Sequence, residues 1–329
     1  MKKFVRKYND IVTVSKLLLA WGEFLVGKKK RNDVIIFQSR LMDNILDLYH
    51  DLKSKSYKHG DYQAFNISDP KPRNIHKATV RDRLLHHLLY RETYKYFDNL
   101  FIYDSYSCRI NKGTHKAVYR LEELSKKISK NGSKNAWVLK CDIKKFFASI
   151  NHSILKNILS KYIADKDLLW LFGQVIDSFE TTGRVGCGLP LGNLTSQLLV
   201  NIYMNEFDQF VKRELKVRNY LRYADDFVLL NRDKGCLIDW KIKIERFLKD
   251  KLKLSLHREK VFLKTVYSGV DFLGWIQFND HRVLRTISKK RMFKKLEKNY
   301  SPEVVNSYLG LIKHGNAKKL EDRIINERF

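Results

Sequence analysis

The stretch Tyr220-Leu221-Arg222-Tyr223-Ala224-Asp225-Asp226-Phe227-Val228-Leu229-Leu230 sets two adjacent aspartates between two short apolar runs. It reads as a hairpin, although the Asn-Gly or Asp-Gly turn that usually closes one is missing. Taken alone, an Asp-Asp pair at a turn is ordinary solvated surface. Like charges beside one another at strand ends gain nothing from each other, however, and a bound cation is one reason to keep them. Working outward, Trp137-Val138-Leu139-Lys140-Cys141-Asp142-Ile143 reads as a largely buried strand ending in a third carboxylate, followed by a helix from about Asn151. Between the two acidic stretches, Thr195 to Glu214 is helical. Strands that brought Asp142, Asp225 and Asp226 together would offer hard oxygen donors of the kind magnesium prefers. Two such ions a few ångströms apart activate a hydroxyl and stabilise a leaving phosphate.

The rest of the composition points to a polyanion. Among 329 residues, 64 Lys and Arg stand against 36 Asp and Glu, a formal charge of +28. Nucleic acid fits that excess, because each phosphate contacted by a Lys or Arg releases condensed counterions and gains affinity without regard to sequence. Apolar residues make up 44% of the chain, enough for a sizeable core and too many for a disordered protein. Cys108, Cys141, Cys187 and Cys236 lie far apart, without the paired short spacing of zinc or redox motifs, and read as reduced core thiols. The apolar stretch Val12 to Val26 is interrupted by Lys16 and Glu23 and is followed by no small-residue cleavage site, so it reads as an amphipathic helix rather than a signal peptide. No other segment is long and apolar enough to span a membrane, and the cytoplasm is the default location.

Helical spacing of Phe37, Leu41, Ile45, Leu48 and Leu52 follows Asp33, a plausible cap, and a second pattern begins at Leu84 and Leu88. Between them, Asp69-Pro70-Lys71-Pro72-Arg73-Asn74 breaks helix and suggests a hairpin or extended loop. Lys116 to Ile128 is helical between Gly113 and Gly132, Val270 to Phe278 reads as a short strand, and the remainder as basic helix. The expected class is α+β, with helices, then a small sheet carrying acids, then helices.

Three stretches taken in order resemble the successive palm motifs of reverse transcriptases. They are Leu139-Lys140-Cys141-Asp142-Ile143-Lys144-Lys145-Phe146-Phe147, Gly188-Leu189-Pro190-Leu191-Gly192-Asn193-Leu194-Thr195-Ser196-Gln197, and Tyr223-Ala224-Asp225-Asp226. Lys260 and Gly269-Val270-Asp271-Phe272-Leu273-Gly274-Trp275, similar to the primer-grip hairpin, extend the likeness, which runs from roughly Phe37 to the C-terminus. The resemblance implies a right-hand polymerase architecture: N-terminal helices and fingers over 1–135, a palm with some fingers elements over 136–280, and a short basic helical thumb over 281–329.

It also implies roles. Asp142 and Asp225 would bridge two Mg2+ ions, with Mn2+ as a substitute, Asp226 would support the site, and the carbonyl of Ile143 would add a ligand. Phe147 matches the aromatic gate beneath the sugar of an incoming nucleotide, where a 2′-hydroxyl would clash. Phe146 suits the core instead, since neighbours on an extended segment face opposite ways. Lys71 and Arg73 resemble the fingers residues that grip a triphosphate, Arg73 being the stronger for its bidentate, permanently charged guanidinium. Leu191, Gly192 and Gln197 would line the nucleotide pocket. Arg81, Asp82 and Arg83 are either template contacts or a salt-bridged helix face. Arg109 and Lys112 would meet template phosphates, and Phe272, Leu273 and Gly274 the primer. Lys260 would protonate or neutralise departing pyrophosphate. Lys289, Lys290 and Lys294, arrayed around apolar Ile287, Met292 and Leu296, would lie on the duplex. Lys28-Lys29-Lys30-Arg31 either holds structured RNA or is a loop, and His86 and His87 read as structural.

The subclass turns on Leu191, because many of these enzymes have Gln there and Ser-Pro where this chain has Ser196-Gln197. Leu-Gly-Asn-Leu-Thr-Ser-Gln is similar to the pattern of diversity-generating retroelement enzymes, with antiviral-defence reverse transcriptases sharing much of it. Such an enzyme would make error-prone cDNA from a dedicated structured RNA and dNTPs, hold an RNA/DNA duplex, and work with a small basic accessory protein or another subunit. The thumb lacks the Val-Thr-Gly expected of a retron enzyme, and 329 residues leave little room for a group II intron endonuclease. An RNA-dependent RNA polymerase shares the acids but not the gate, and a non-catalytic RNA-binding protein on a polymerase fold would not need all three acids.

Overall fold

The computed structural model describes residues 2–68 and 72–326. In chain order its main elements are α1 (Tyr8–Ile11), α2 (Val14–Leu25), α3 (Asn32–Ser39), α4 (Leu41–Lys53), β1 (Gln63–Ile67), β2 (Arg73–Lys77), α5 (Val80–Asp98), α6 (Thr114–Ser129), β3 (Trp137–Asp142), α7 (His152–Tyr162), α8 (Lys166–Asp177) and α9 (Leu194–Gln209). There follow β4 (Tyr220–Tyr223), β5 (Asp226–Asn231), α10 (Lys234–Leu252), β6 (Phe262–Thr265), β7 (Val270–Phe272), β8 (Trp275–Gln277), β9 (Arg282–Leu284), α11 (Thr286–Lys298), α12 (Pro302–Ile312) and α13 (Lys318–Asn326). The class is α+β, as expected. Two compact units are assembled from interleaved segments, one from 1–103, 143–210 and 246–255, the other from 104–142, 211–245 and 256–329.

The first unit is helical. Leu84, Leu85, Leu88 and Leu89 of α5 are buried, and α5 packs against both α2 and α9. Side chains close the helix starts: Thr13 accepts from Lys16 N, Thr79 from Asp82 N, Asn151 from Ile154 N and Asp165 from Leu168 N, each satisfying a donor that the helix itself cannot. Asp33 is not such a cap. It lies inside the first turn of α3, whose N-cap is Arg31, and the periodic run from Phe37 to Leu52 breaks at Arg40 (φ −126°, ψ 45°) into two helices. Of the breaker stretch, residues 69–71 lie outside the described residues, while Arg73 and Asn74 fall in a hairpin in which β1 is antiparallel to β2 and Ile67 stands opposite Arg73.

The second unit holds an antiparallel four-stranded sheet of order β4-β5-β3-β6, with α6 packed on β4 and β5. Its core runs through Leu121, Val138, Leu221, Val228 and Leu230 to Phe272 and Trp275. The stretch from Val270 to Phe278 is not one strand. It folds back at Leu273 (φ 50°) and Gly274 (φ 89°) to pair β7 with β8, and Arg282–Leu284 adds β9 within what reads as basic helix. In α11 Met292 and Leu296 are buried, but Ile287 is 62% exposed, so the packing face is made by Met292, Leu296 and the partly buried Phe293. Among the described residues no helix is long and apolar enough to cross a membrane.

Candidate active site

The acids meet through strand register. In the β3–β5 pair Asp142 stands opposite Asp226, and in the β4–β5 pair Tyr223 stands opposite Asp226, so Ala224 and Asp225 form the two-residue turn of the hairpin. Directly opposed residues share a face of a sheet, with Cβ atoms about 5 Å apart. The turn does without glycine: Ala224 itself takes φ 55°. A left-handed alanine costs on the order of 1 kcal/mol, and such strain persists where the surroundings hold it. Here the holder is Arg222, almost fully buried, whose guanidinium donates to Ala224 O at 3.1 Å and to Ser105 Oγ at 3.1 Å.

Two lysines balance the acids. Lys260 Nζ lies 3.1 and 3.3 Å from the two oxygens of Asp142. Lys140 Nζ lies 3.1 Å from Asp226 Oδ1, close enough for an ion pair but off hydrogen-bond direction, so that oxygen is buried without a hydrogen-bond partner. Lys140 is only 8% exposed and was missed as a site residue. The signal was in the sequence: a lysine two positions before Asp142 in a buried strand must face the same side as the carboxylate.

Among the described residues, no group of three His, Cys, Asp or Glu side chains already converges on a metal position, two of the three aspartates being turned to lysines. The donor set nevertheless fits a hard divalent cation. Asp142 and Asp226 stand on one face of two paired strands, Asp226 Oδ1 is orphaned, and the acids repel strongly enough to shift one another.

Burial, then the charges of Asp226 and Asp142, push the Asp225 carboxyl up to about 6. Asp226 is also raised by burial, against the pull of Lys140. An acid whose folded pKa exceeds its unfolded value holds a proton that the unfolded chain has released. Folding is therefore favoured at low pH, and that stability is lost as the pH rises through about 6. The penalty at pH 8 is on the order of 2–3 kcal/mol. Asp225→Asn should accordingly raise the melting temperature in EDTA at pH 8 by a few degrees, with the gain vanishing near pH 4. Thermal melts showing no gain at pH 8, or the same gain at pH 4, would contradict the repulsion.

The residues expected around a nucleotide lie in the first unit. Phe147 opens a 3₁₀ turn (Phe147–Ser149), is half-buried, and accepts from Leu189 N at 2.9 Å through its carbonyl, while Phe146 is 4% exposed in the core. The two phenylalanines do part as expected, though by a turn rather than by strand alternation. Leu191 O accepts from His76 N at 3.0 Å, Gly192 is exposed, and Gln197 sits in the first turns of α9. Arg73 begins β2 and is exposed; Lys71 lies outside the described residues. Arg81 pairs with Asp51 and Arg83 with Asp33, while Asp82 is buried and accepts from Tyr57 and Thr79, so this segment is a braced helix start. His86 packs on His59 with Nε2 atoms 3.2 Å apart, inside the same buried network.

In the second unit Arg109 donates to Ser105 O at 3.0 Å and Lys112 lies over the Tyr106 ring. Phe272 is buried and Leu273-Gly274 forms the β7–β8 turn. Lys290 and Lys294 are exposed on α11 and Lys289 is half-buried.

Comparison with known proteins gives a family and a fold. Residues 65–277 match the family described as reverse transcriptase (RNA-dependent DNA polymerase). The chain is 25% identical to protein YkfC of Escherichia coli over 297 residues, covering 77% of this chain and 74% of that one. It is 24% identical to the group II intron-encoded protein LtrA of Lactococcus lactis over 349 residues, covering 80% of this chain and 56% of LtrA. Apo telomerase from Candida tropicalis, truncated from its C-terminal domain, superposes with a TM-score of 0.52 at 12% identity, over 74% of this chain and 60% of that one. The shared feature at that identity is the fold, a right-hand polymerase.

Proposed function

This chain belongs to the reverse transcriptase family, and from that premise we propose that it copies a dedicated structured RNA into cDNA by joining dNTPs at Asp142, Asp225 and Asp226. The observation that carries the proposal is the register that sets Asp142 opposite Asp226, beside the turn holding Asp225. The family uses divalent metal ions, which would supply charge to the reacting phosphate and the attacking hydroxyl. Asp142, Asp225 and the Ile143 carbonyl are the groups to hold them, with Mg2+ the preferred ion, and Asp226 steadies the site. Lys260, whose Nζ lies 3.1 Å from Asp142, would protonate or neutralise the departing pyrophosphate. Arg73 and Lys71 take the triphosphate. Phe147 excludes the 2′-hydroxyl, and Leu191, Gly192 and Gln197 border the base and sugar. Arg109, Lys112 and the Phe272-Leu273-Gly274 turn serve template and primer, and Lys289, Lys290 and Lys294 the duplex. In these terms 1–135 are N-terminal helices and fingers, 136–280 palm with some fingers elements, and 281–329 a short basic helical thumb.

The finer reading is an error-prone enzyme of the diversity-generating type, helped by a small basic accessory protein. It rests on Leu191, whose aliphatic side chain cannot make the polar contacts that a glutamine would offer a nucleotide. Leu191→Gln should lower misincorporation on a defined RNA template several-fold. Equal error spectra for the two enzymes would sink the fidelity argument. Sequencing the RNA and cDNA that accompany the expressed protein tests the role. Adenine-biased changes support diversification, repetitive or untemplated products place the enzyme in anti-phage defence, and RNA without cDNA would indicate an RNA-binding protein.

A further inference from the structure

The hairpin that carries Arg73 has little structure of its own to aim it. Every residue of β1 is exposed, and a lone two-stranded hairpin is marginal in water. Its direction must come from what β2 touches. His76 N donates to Leu191 O at 3.0 Å, and His76 O accepts from Asn193 Nδ2 at 2.9 Å, so one residue of β2 is held by both ends of the Leu191-Gly192-Asn193 segment. The His76 ring packs edge-on against Phe179 with centroids 4.6 Å apart.

Asn193 occupies the N-cap position of α9, is 3% exposed, and makes no side-chain cap bond. Asparagine is among the residues best suited to cap a helix, yet this one spends its amide on the hairpin. Gly192 completes the contact. Its φ is +106°, and a Cβ there would stand 2.8 Å from Ile75 Cγ2, so only glycine lets the strand come this close. Ile75 and Arg73 are two apart in β2 and share a face of the hairpin, the face turned to Gly192.

We propose that Asn193 is a positioning residue that clamps the β1–β2 hairpin to the Leu191-Gly192 turn and thereby sets Arg73 for the triphosphate of the incoming nucleotide. The inference rests on the reading of Arg73 and the Leu191-Gly192 turn as nucleotide contacts. It adds a device by which α9 and the hairpin act as one part. Loosening the clamp should weaken capture of the nucleotide and leave the chemistry at the aspartates alone.

The test is a mutant cycle on the full chain, measuring KM for dNTP, kcat, and hydrogen exchange of residues 72–78. Asn193→Ala should raise KM about fivefold to tenfold, the loss of one buried hydrogen bond, with kcat within about twofold and faster exchange in β2. Arg73→Ala should raise KM at least as much, and adding Asn193→Ala to it should change KM little, because the clamp acts through Arg73. An Arg73→Ala enzyme with unchanged KM overturns the triphosphate reading and the proposal with it. A raised KM for Arg73→Ala, combined with an Asn193→Ala effect that is absent or multiplies in full on top of it, overturns the clamp alone. Should Asn193→Ala fail to fold, Ile75→Ala takes its place in the same cycle under the same criteria.

Discussion

Replacing Asp225 and Asp226 together by alanine should lower DNA synthesis on a primed RNA at least about a thousandfold and leave RNA binding within about twofold. The two outcomes separate because they draw on different charges. In the proposed reaction synthesis uses the carboxylates of Asp225 in the β4–β5 turn and of Asp226 opposite Asp142 of β3, and the double substitution removes two of those three side chains. Among the described residues no other group of His, Cys, Asp or Glu stands ready to replace them, and the neighbouring Lys140 and Lys260 repel a metal rather than hold one. The proposed RNA binding draws instead on a formal charge of +28, which the substitution raises by two. Relief of the repulsion that burdens Asp225 also argues against simple unfolding. Primer extension with Mg2+ and a filter or anisotropy titration decide the matter. Synthesis that persists refutes the metal assignment, and binding that falls with synthesis would mean that the turn supports the nucleic-acid surface instead.

How much of this was legible beforehand differs by scale. The strand ending at Asp142, the hairpin around Asp225 and the helix after Asn193 could be read because apolar runs and helical periods were long enough to register. The three-residue strands β7, β8 and β9 could not, since period two needs more residues than they have. The helical period from Phe37 to Leu52 hid the break at Arg40, because the apolar spacing runs on across it in the sequence. Ile287 was misplaced for a related reason: apolar spacing marks a face, and only the folded partner shows where that face stops. In the site, the acids stood out by type. Lys140 and Arg222 did not, because a cation inside an apolar strand looks like a lapse in the pattern until its partner is seen. Asn193 was hidden most completely, since its sequence position predicts a helix cap and its side chain serves a strand more than a hundred residues away.

Phe147→Ala should raise the efficiency of ribonucleotide incorporation relative to deoxyribonucleotide about a hundredfold, while dNTP turnover falls only severalfold. The proposed gate must be rigid to exclude one hydroxyl, and Phe147 is held in place by its neighbours. Its carbonyl is tied to Leu189 N, two residues before Leu191, and its ring leans edge-on against Phe146 with centroids 5.6 Å apart. Phe146 is buried, so the neighbouring ring has a fixed wall behind it and a half-exposed face in front. Removing the Phe147 ring opens room for an oxygen without emptying the core, and the cost falls on selectivity. Phe146→Ala is the contrasting variant. It should leave sugar selectivity near that of the parent and lower stability by roughly 3–5 kcal/mol, the cost of truncating a buried phenylalanine. Ratios of kcat/KM for dNTP and rNTP on one RNA template, read beside melting curves, separate the two. An unchanged ratio in an active Phe147→Ala enzyme would make that ring packing alone, and the same chain would then choose its sugar by some other contact.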